Sequence, residues 1–325
     1  FARYRRRSRW PGLPTFLLQR SDSGTLYHTR DTIKMVVGCI SSSGELKILE
    51  DISQKVRLAE RLQETKLIQP DAQSRALDVI IGYVNKAKKL GSDSFKIIGT
   101  NVIRDAKNSQ EFKKKVFESV NIPLDEASEY DEARLSYMAI ALDPVLKKIK
   151  NDCATVDVGG GSTEITTAEN GDKIIGFSVP IGVVRLTELF NLYDNPTKDD
   201  IERAGDYAFS MLNEKVKNIK SDNLVLIGGS AVNIGRVIKC LDSENTLDAH
   251  GVELSIDTLV ELIDKFSSVS LEERKKIKGL DPSRADVIIA GAIILKASAE
   301  LVDAKKLLIS VRGLRHGMLY EMLGV

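Results

Sequence analysis

The residues of this chain best suited to chemistry lie within eight positions, Asp157-Val158-Gly159-Gly160-Gly161-Ser162-Thr163-Glu164. Ala154–Val156 before them and Ile165–Thr167 after them are apolar or β-branched, so the stretch predicts strand, tight turn, strand. Three consecutive glycines admit φ > 0 and expose backbone N–H groups to an anion. Gly159, Gly160, Gly161, Ser162 and Thr163 therefore read as a phosphate cradle. Asp157 and Glu164 stand on its shoulders, where carboxylates could hold a metal that prefers oxygen, such as Mg²⁺. Cradle and metal carboxylates together mean phosphoryl chemistry. The plain alternative is a glycine-rich hairpin flanked by two ordinary acids, and a lone turn of this kind does not exclude it.

Other residues add to that reading. Arg104 follows an apolar strand, and a guanidinium projecting from such a strand end binds phosphate oxygens in a fork. Its competing reading is an interdomain salt bridge, and Arg57 is read in the same way. Gly229 and Ser230 open a helix, whose N-terminus attracts anions through its dipole and free N–H groups. Lys34 sits in the first hairpin, facing either cleft or solvent. The lysine clusters at 86–89, 113–115, 147–150 and 275–278 read as solvated helix faces, with a polyphosphate track as the alternative, and Cys153 and Cys240 as core residues.

Those side chains need elements to hold them. The 325 residues suffice for two domains, and 42% hydrophobic with 29% charged content is ordinary for a globular protein. A net charge of +1 provides no global field for nucleic acid, so an anionic substrate must meet a local basic patch. Three scattered cysteines form no disulfide or zinc framework, which suggests a reducing cytoplasm. No apolar run approaches ~18 residues, so no membrane span is expected.

From Ile33 the pattern is regular. Strands are expected at 33–40 and 45–49, joined by Ser41-Ser42-Ser43-Gly44. A helix runs from Pro70 to Gly91, a strand follows at 95–98, and helices at 109–120 and 131–142. The second half repeats the plan: strands around the glycine turn, an Asn170-Gly171 hairpin to 173–179, a strand at 223–227 and a helix opening at Gly228-Gly229-Ser230. Ser270 with Glu273 predicts a capping box, 283–301 a long apolar helix, 307–310 a strand, and a closing helix follows from Gly313. Repetition makes this a duplicated α/β fold with a cleft between halves. Overlaying Ser162 on Thr32 places Tyr27 opposite Asp157 and Thr29 opposite Gly159. The first half thus lacks the carboxylate and glycine of its own phosphate turn, and no strand-like run precedes it. The arginine-rich leader, residues 1–32, is read as a wrong start or damaged frame, a divergent natural leader or a targeting segment.

Seven stretches in order now carry a resemblance: Val56–Leu62, Gly99–Arg104, Glu132–Leu135, the glycine turn, Ser178–Leu186, Gly228–Ala231 and Gly313–Gly317. From about Ile33 to Leu323 the chain resembles the exopolyphosphatase/guanosine pentaphosphate phosphatase family. That family lies within the superfamily of actin and the sugar kinases. The resemblance implies duplicated ribonuclease-H-like (actin-like ATPase) domains around a cleft: 1–126, and 127–325 with its last helix packing back on the first. It implies Mg²⁺-dependent removal of the terminal phosphate from inorganic polyphosphate, and Glu132 matches the family's catalytic carboxylate. Without the resemblance Glu132 is a solvated acid in a first helical turn. The alternatives are a guanosine pentaphosphate phosphatase, an ATP-dependent kinase and a non-catalytic polyphosphate or alarmone sensor, the last motivated by the degenerate first turn. A homodimer is compatible with the reading, and neither nucleic acid nor membrane is expected as partner. Ala59 and Arg61 replace two family glycines, and His316 stands where the family usually has Glu.

Overall fold

The computed structural model describes residues 22–28, 32–41, 46–146, 149, 153–169, 173–242 and 246–324. Most of the arginine-rich leader lies outside them, as do residues 29–31 of the first turn and the joining turns at 42–45 and 170–172. Asp22–His28 forms strand β1, and this corrects the expectation that no strand precedes the first turn. Its Ser23-Gly24-Thr25-Leu26 segment is buried at the middle of a sheet. Small and hydroxylated residues hide it from a hydrophobicity reading. Tertiary context fixes it instead: a Cβ on Gly24 would touch Ala87 and Phe95 at 3.4 Å, and the Thr25 hydroxyl donates to the Arg315 carbonyl at 3.1 Å.

The rest of the first half is β2 (Thr32–Ile40), β3 (Leu46–Lys55), α1 (Leu62–Thr65), α2 (Pro70–Lys89), β4 (Ser92–Gly99), α3 (Asn101–Asp105), α4 (Ser109–Val120) and β5 (Leu124–Glu126). Pro70 starts α2 as expected, because a first-turn residue needs no N–H partner. The second half opens with α5 (Glu129–Ala141), β6 (Ala154–Val158), β7 (Thr163–Glu169) and β8 (Lys173–Val179). It continues through α6 (Val183–Leu189), α7 (Lys198–Lys215), β9 (Asn223–Ile227), α8 (Gly229–Ile238), β10 (Glu253–Leu254), α9 (Ile256–Ser267) and α10 (Leu271–Arg274). Last come α11 (Ile288–Leu301), β11 (Lys306–Ile309) and α12 (Leu314–Leu323). The Ser270–Glu273 capping box is present at α10. Cys240 is exposed, which corrects its placement in the core, whereas Cys153 is buried.

The sheets run β3-β2-β1-β4-β5 and β10-β11-β9-β6-β7-β8. Each has an antiparallel hairpin pair followed by parallel strands, the duplicated ribonuclease-H-like plan. Register confirms the overlay of the halves: Tyr27 faces Lys34 across β1 and β2, as Asp157 faces Glu164 across β6 and β7. Lys34 is therefore the first-half counterpart of Glu164, and Tyr27 that of Asp157.

Each half has its own apolar core. In the second, α11 is buried almost all round, as its apolar and small residues from Ile288 to Leu295 require. Helix α12 returns to pack on α5, β1 and β2, and a small cluster of Ile98, Ala127, Leu135, Leu314 and Met318 joins the halves. The approach is close: a Cβ on Gly317 would lie 1.8 Å from the Leu135 carbonyl oxygen. Among the described residues no helix is long and apolar enough to cross a membrane.

Candidate active site

The glycine turn is closed by Gly159 N–H donating to Ser162 O at 2.9 Å. It is held from behind by α6, whose Val183 and Val184 N–H groups donate to the carbonyls of Gly159 and Gly160 at 3.0 Å. A Cβ on Gly182 would stand 2.5 Å from Gly160 and Gly161 backbone atoms. None of Gly159, Gly160 or Gly161 is among the described glycines with left-handed φ, so the expectation of φ > 0 in this turn is corrected. The crowding falls on position 182, which the turn's backbone keeps free of a side chain. Left-handed φ belongs to Gly228, at +94°, where a side chain would also strike the Asp157 carboxylate at 2.6 Å. The Thr163 hydroxyl is fully buried and donates to the Ile181 carbonyl at 2.6 Å, so it braces the turn and is not free for phosphate.

Three carboxylates meet beside this turn. Asp157 and Glu164 are paired across β6 and β7, so their side chains share one sheet face. Glu132 comes from the first turn of α5, which starts cleanly because Ser128 and Asp131 form a capping box. Burial pushes the Glu132 carboxyl up to about 7, opposed by its hydrogen bond to Arg104 and assisted by the charges of Asp157 and Glu129. Glu164 is pushed up to about 8 by burial and then by Asp157, with Ser162 and Ser178 hydrogen bonds pulling the other way. Asp157 is raised by burial, offset by Lys34 and Arg315. The three are close enough to repel one another.

Cations answer them. Arg104 Nη1 donates to Glu132 Oε1 at 2.5 Å and to the Ala127 carbonyl at 2.6 Å. This is the salt-bridge reading of Arg104, with its partner being the candidate catalytic group. Lys34 faces inward, its ammonium lowered to about 8 by burial and by Arg315, while Asp157 sustains it. Arg284 lies over the start of α8, since a Cβ on Gly229 would touch its guanidinium at 2.7 Å. The loop carrying Arg284 is held by buried Arg274, which donates to the carbonyls of Phe266, Val269, Tyr193 and Ala285 at 2.7–3.2 Å.

The structure thus gathers Glu132, Asp157, Glu164, Arg104, Ser162 and the glycines, with Gly229 at the cleft edge. The site expected at the start of α8 is one of backbone N–H groups, and the Ser230 hydroxyl is turned away from it, buried against α11 where a Cβ on Gly291 would meet it at 2.4 Å. Arg57 is exposed on the loop after β3, at φ 49°. Sequence reading gave no role to Arg284, Arg315 or Asp51: Arg315 lies in the Gly313–Gly317 stretch that carries the resemblance, but nothing local sets Arg284 and Asp51 apart from surface charges.

The residues present fit Mg²⁺. The described residues contain no group of three or more His, Cys, Asp or Glu side chains placed to enclose a metal. Mg²⁺ commonly takes one or two carboxylates and completes its shell with water and substrate phosphate oxygens, and Asp157 with Glu164 offers that set. A carboxyl raised on folding stabilises the fold below its ordinary range and loses that contribution as pH rises through the raised value. The free protein should therefore lose stability from about pH 5 to pH 8 at Glu164, raised to about 8. Mg²⁺ held by these carboxylates would relieve the repulsion, and its increment in melting temperature would then be larger at pH 8.5 than at pH 5.5. Equal increments would remove Glu164 from the metal site.

Comparison with known proteins places this arrangement. Residues 37–325 match the Ppx/GppA phosphatase family. A bifunctional 3-dehydroquinate synthase/phosphatase of Fusobacterium nucleatum is 31% identical over 254 residues, which cover 76% of this chain and 37% of that protein. The chain thus spans little more than a third of that relative's length. A putative exopolyphosphatase of Haemophilus influenzae is 23% identical over 292 residues, covering 90% of this chain and 88% of the other. The crystal structure of the Aquifex aeolicus Ppx/GppA family member superposes with a TM-score of 0.84 at 25% identity, over 94% of this chain and 98% of that one. With the family match spanning both halves of the fold and every carboxylate of the cleft, the chain belongs to the Ppx/GppA phosphatase family.

Proposed function

We propose that the chain hydrolyses the terminal phosphoanhydride of inorganic polyphosphate and releases orthophosphate, with Mg²⁺ held at Asp157 and Glu164. The observation that carries this reading is Glu132. It is a buried carboxyl raised to about 7, set among like charges beside a glycine turn. A base poised near neutrality is suited to take the proton of an attacking water. Arg104 fixes the carboxylate's direction through the 2.5 Å contact and leaves the second oxygen for that water. The turn's backbone and the cations Lys34 and Arg284 face the space where phosphoryl oxygens gather charge, and charge stabilisation is most of what phosphoryl transfer asks of a protein. Mg²⁺, when bound, would neutralise phosphate oxygens. The name of the Haemophilus relative supports polyphosphate as substrate.

A sensor reading is favoured by one observation: Tyr27 occupies the register position of Asp157, and a phenol is a poor Mg²⁺ ligand at neutral pH. Phosphate release from polyphosphate and from guanosine pentaphosphate, measured side by side with Mg²⁺, separates the readings. Release is expected from both, with the larger kcat/KM for polyphosphate. A preference for guanosine pentaphosphate would exchange the substrates. Tight binding without release would make the protein a sensor, and phosphorylation of an added acceptor by ATP would make it a kinase.

A further inference from the structure

We propose that Asp51 is a positioning residue of the cleft, holding the Arg315 guanidinium against the wall where Lys34 and Asp157 meet. The inference rests on the phosphohydrolase reading above. Asp51 lies on β3, in the first half, and its partners come from α12, more than two hundred and fifty residues later. Arg315 Nε and Nη2 donate to its two oxygens at 2.7 and 2.8 Å, the parallel fork that fixes a guanidinium plane. His316 adds a third bond, Nε2 to Asp51 Oδ2 at 3.1 Å.

The imidazole is specified at both nitrogens. Its Nδ1 accepts from Gly313 N–H at 3.3 Å, so Nε2 carries the proton given to Asp51. His316 is 2% exposed, and burial next to Arg315 keeps it neutral, lowered to about 4. Arg315 and these bonds hold the Asp51 carboxyl well below the usual carboxylate range despite its burial. The family resemblance expects Glu at position 316, and a glutamate there would set one carboxylate against another. In this chain the imidazole donates instead, and Asp51 remains a fully ionised anchor.

Arg315 acts beyond its partner. Across β2 and β3 Asp51 pairs with Val36 and Ser53 with Lys34, so Asp51 and Lys34 share one sheet face, and the guanidinium that Asp51 holds lies on the face Lys34 occupies. The groups facing Asp51 are Arg315 and His316 from α12 and, more distantly, Lys34 from the adjacent strand β2. Asp51 thus does two things: it offsets one cation of the wall, and it aims that cation. Ground-state affinity depends on net charge, whereas turnover depends on where the charge lies when the phosphoryl oxygens move.

The test is Asp51→Asn, with Asp51→Glu as the charge-preserving control, each measured per folded molecule by circular dichroism and thermal melting. Calorimetry with inorganic phosphate and tripolyphosphate should show Asp51→Asn binding about 3–10-fold tighter, since the wall gains one positive charge. Its kcat on polyphosphate should fall about 10–100-fold, the scale for a misplaced charge-stabilising group. Asp51→Glu should return affinity to the wild-type value and recover part of kcat. Unchanged affinity with lowered melting temperature would make Asp51 a purely structural tie and overturn the proposal. Should the wild-type protein release no phosphate from any substrate, the hydrolase reading fails, and the calorimetric arm still decides the role of Asp51.

Discussion

Glu132→Gln is expected to lower phosphate release by roughly 10²–10⁴-fold, the range for losing a general base. The substitution keeps size and keeps an oxygen for Arg104 Nη1, so the contact between α3 and α5 that joins the halves survives. It removes one of three mutually repelling carboxyls, so the folded state should lose no stability and substrate affinity should be nearly unchanged. The comparison is single-turnover release at matched folded concentration, with calorimetry for affinity. The wild-type rate should also rise with pH through about 7, as Glu132 gives up its proton, and the variant should lack that limb. A variant retaining more than about a tenth of the rate, against the range expected for a lost base, would remove Glu132 from the role.

Gly317→Ala is expected to destabilise the protein by at least about 3 kcal/mol, at the upper end of what overpacking costs. The added methyl would occupy a point 1.8 Å from the Leu135 carbonyl oxygen, and 2.7 and 3.0 Å from its carbon and Cα. These atoms belong to a helix backbone and cannot rotate away, so α12 must move off α5. Since α12 also covers β1 and β2 and carries Arg315 and His316 to Asp51, the shift loosens the first sheet and the cleft together. Gly82→Ala is the control. Gly82 lies inside α2, a Cβ there meets nothing within 4 Å, and the change should stabilise by about 0.5–1 kcal/mol through helix propensity. Urea unfolding of both variants checks the pair. A Gly317→Ala protein as stable as the wild type would show that the α5–α12 approach is not tight in solution.

Local pattern determined a good deal of this protein. Pro70 and the apolar period behind it specify α2, Ser270 with Glu273 specifies the start of α10, and the apolar run from Ile288 to Leu295 marks α11 as a core helix. The glycine turn between two carboxylates was legible because neighbouring residues carry the whole signal, and the repeated order of strands and helices disclosed the duplication, down to Tyr27 standing for Asp157. Tertiary structure decided the rest, for reasons of distance. Strand β1 exists because its small residues fit between α2, β4 and α12, which no propensity reports. The turn's backbone in its turn requires glycine at 182, some twenty residues on, and none of its own glycines needs a left-handed φ. Thr163 reads as part of the cradle until packing turns its hydroxyl to the Ile181 carbonyl. Arg315 and His316 stand in a stretch that carries the resemblance and Asp51 stands in none, and the pattern joins none of them to another. They become a cleft wall only when the end of the chain folds back onto its beginning, because electrostatic coupling depends on separation in space and on exclusion of water, neither of which a linear pattern encodes.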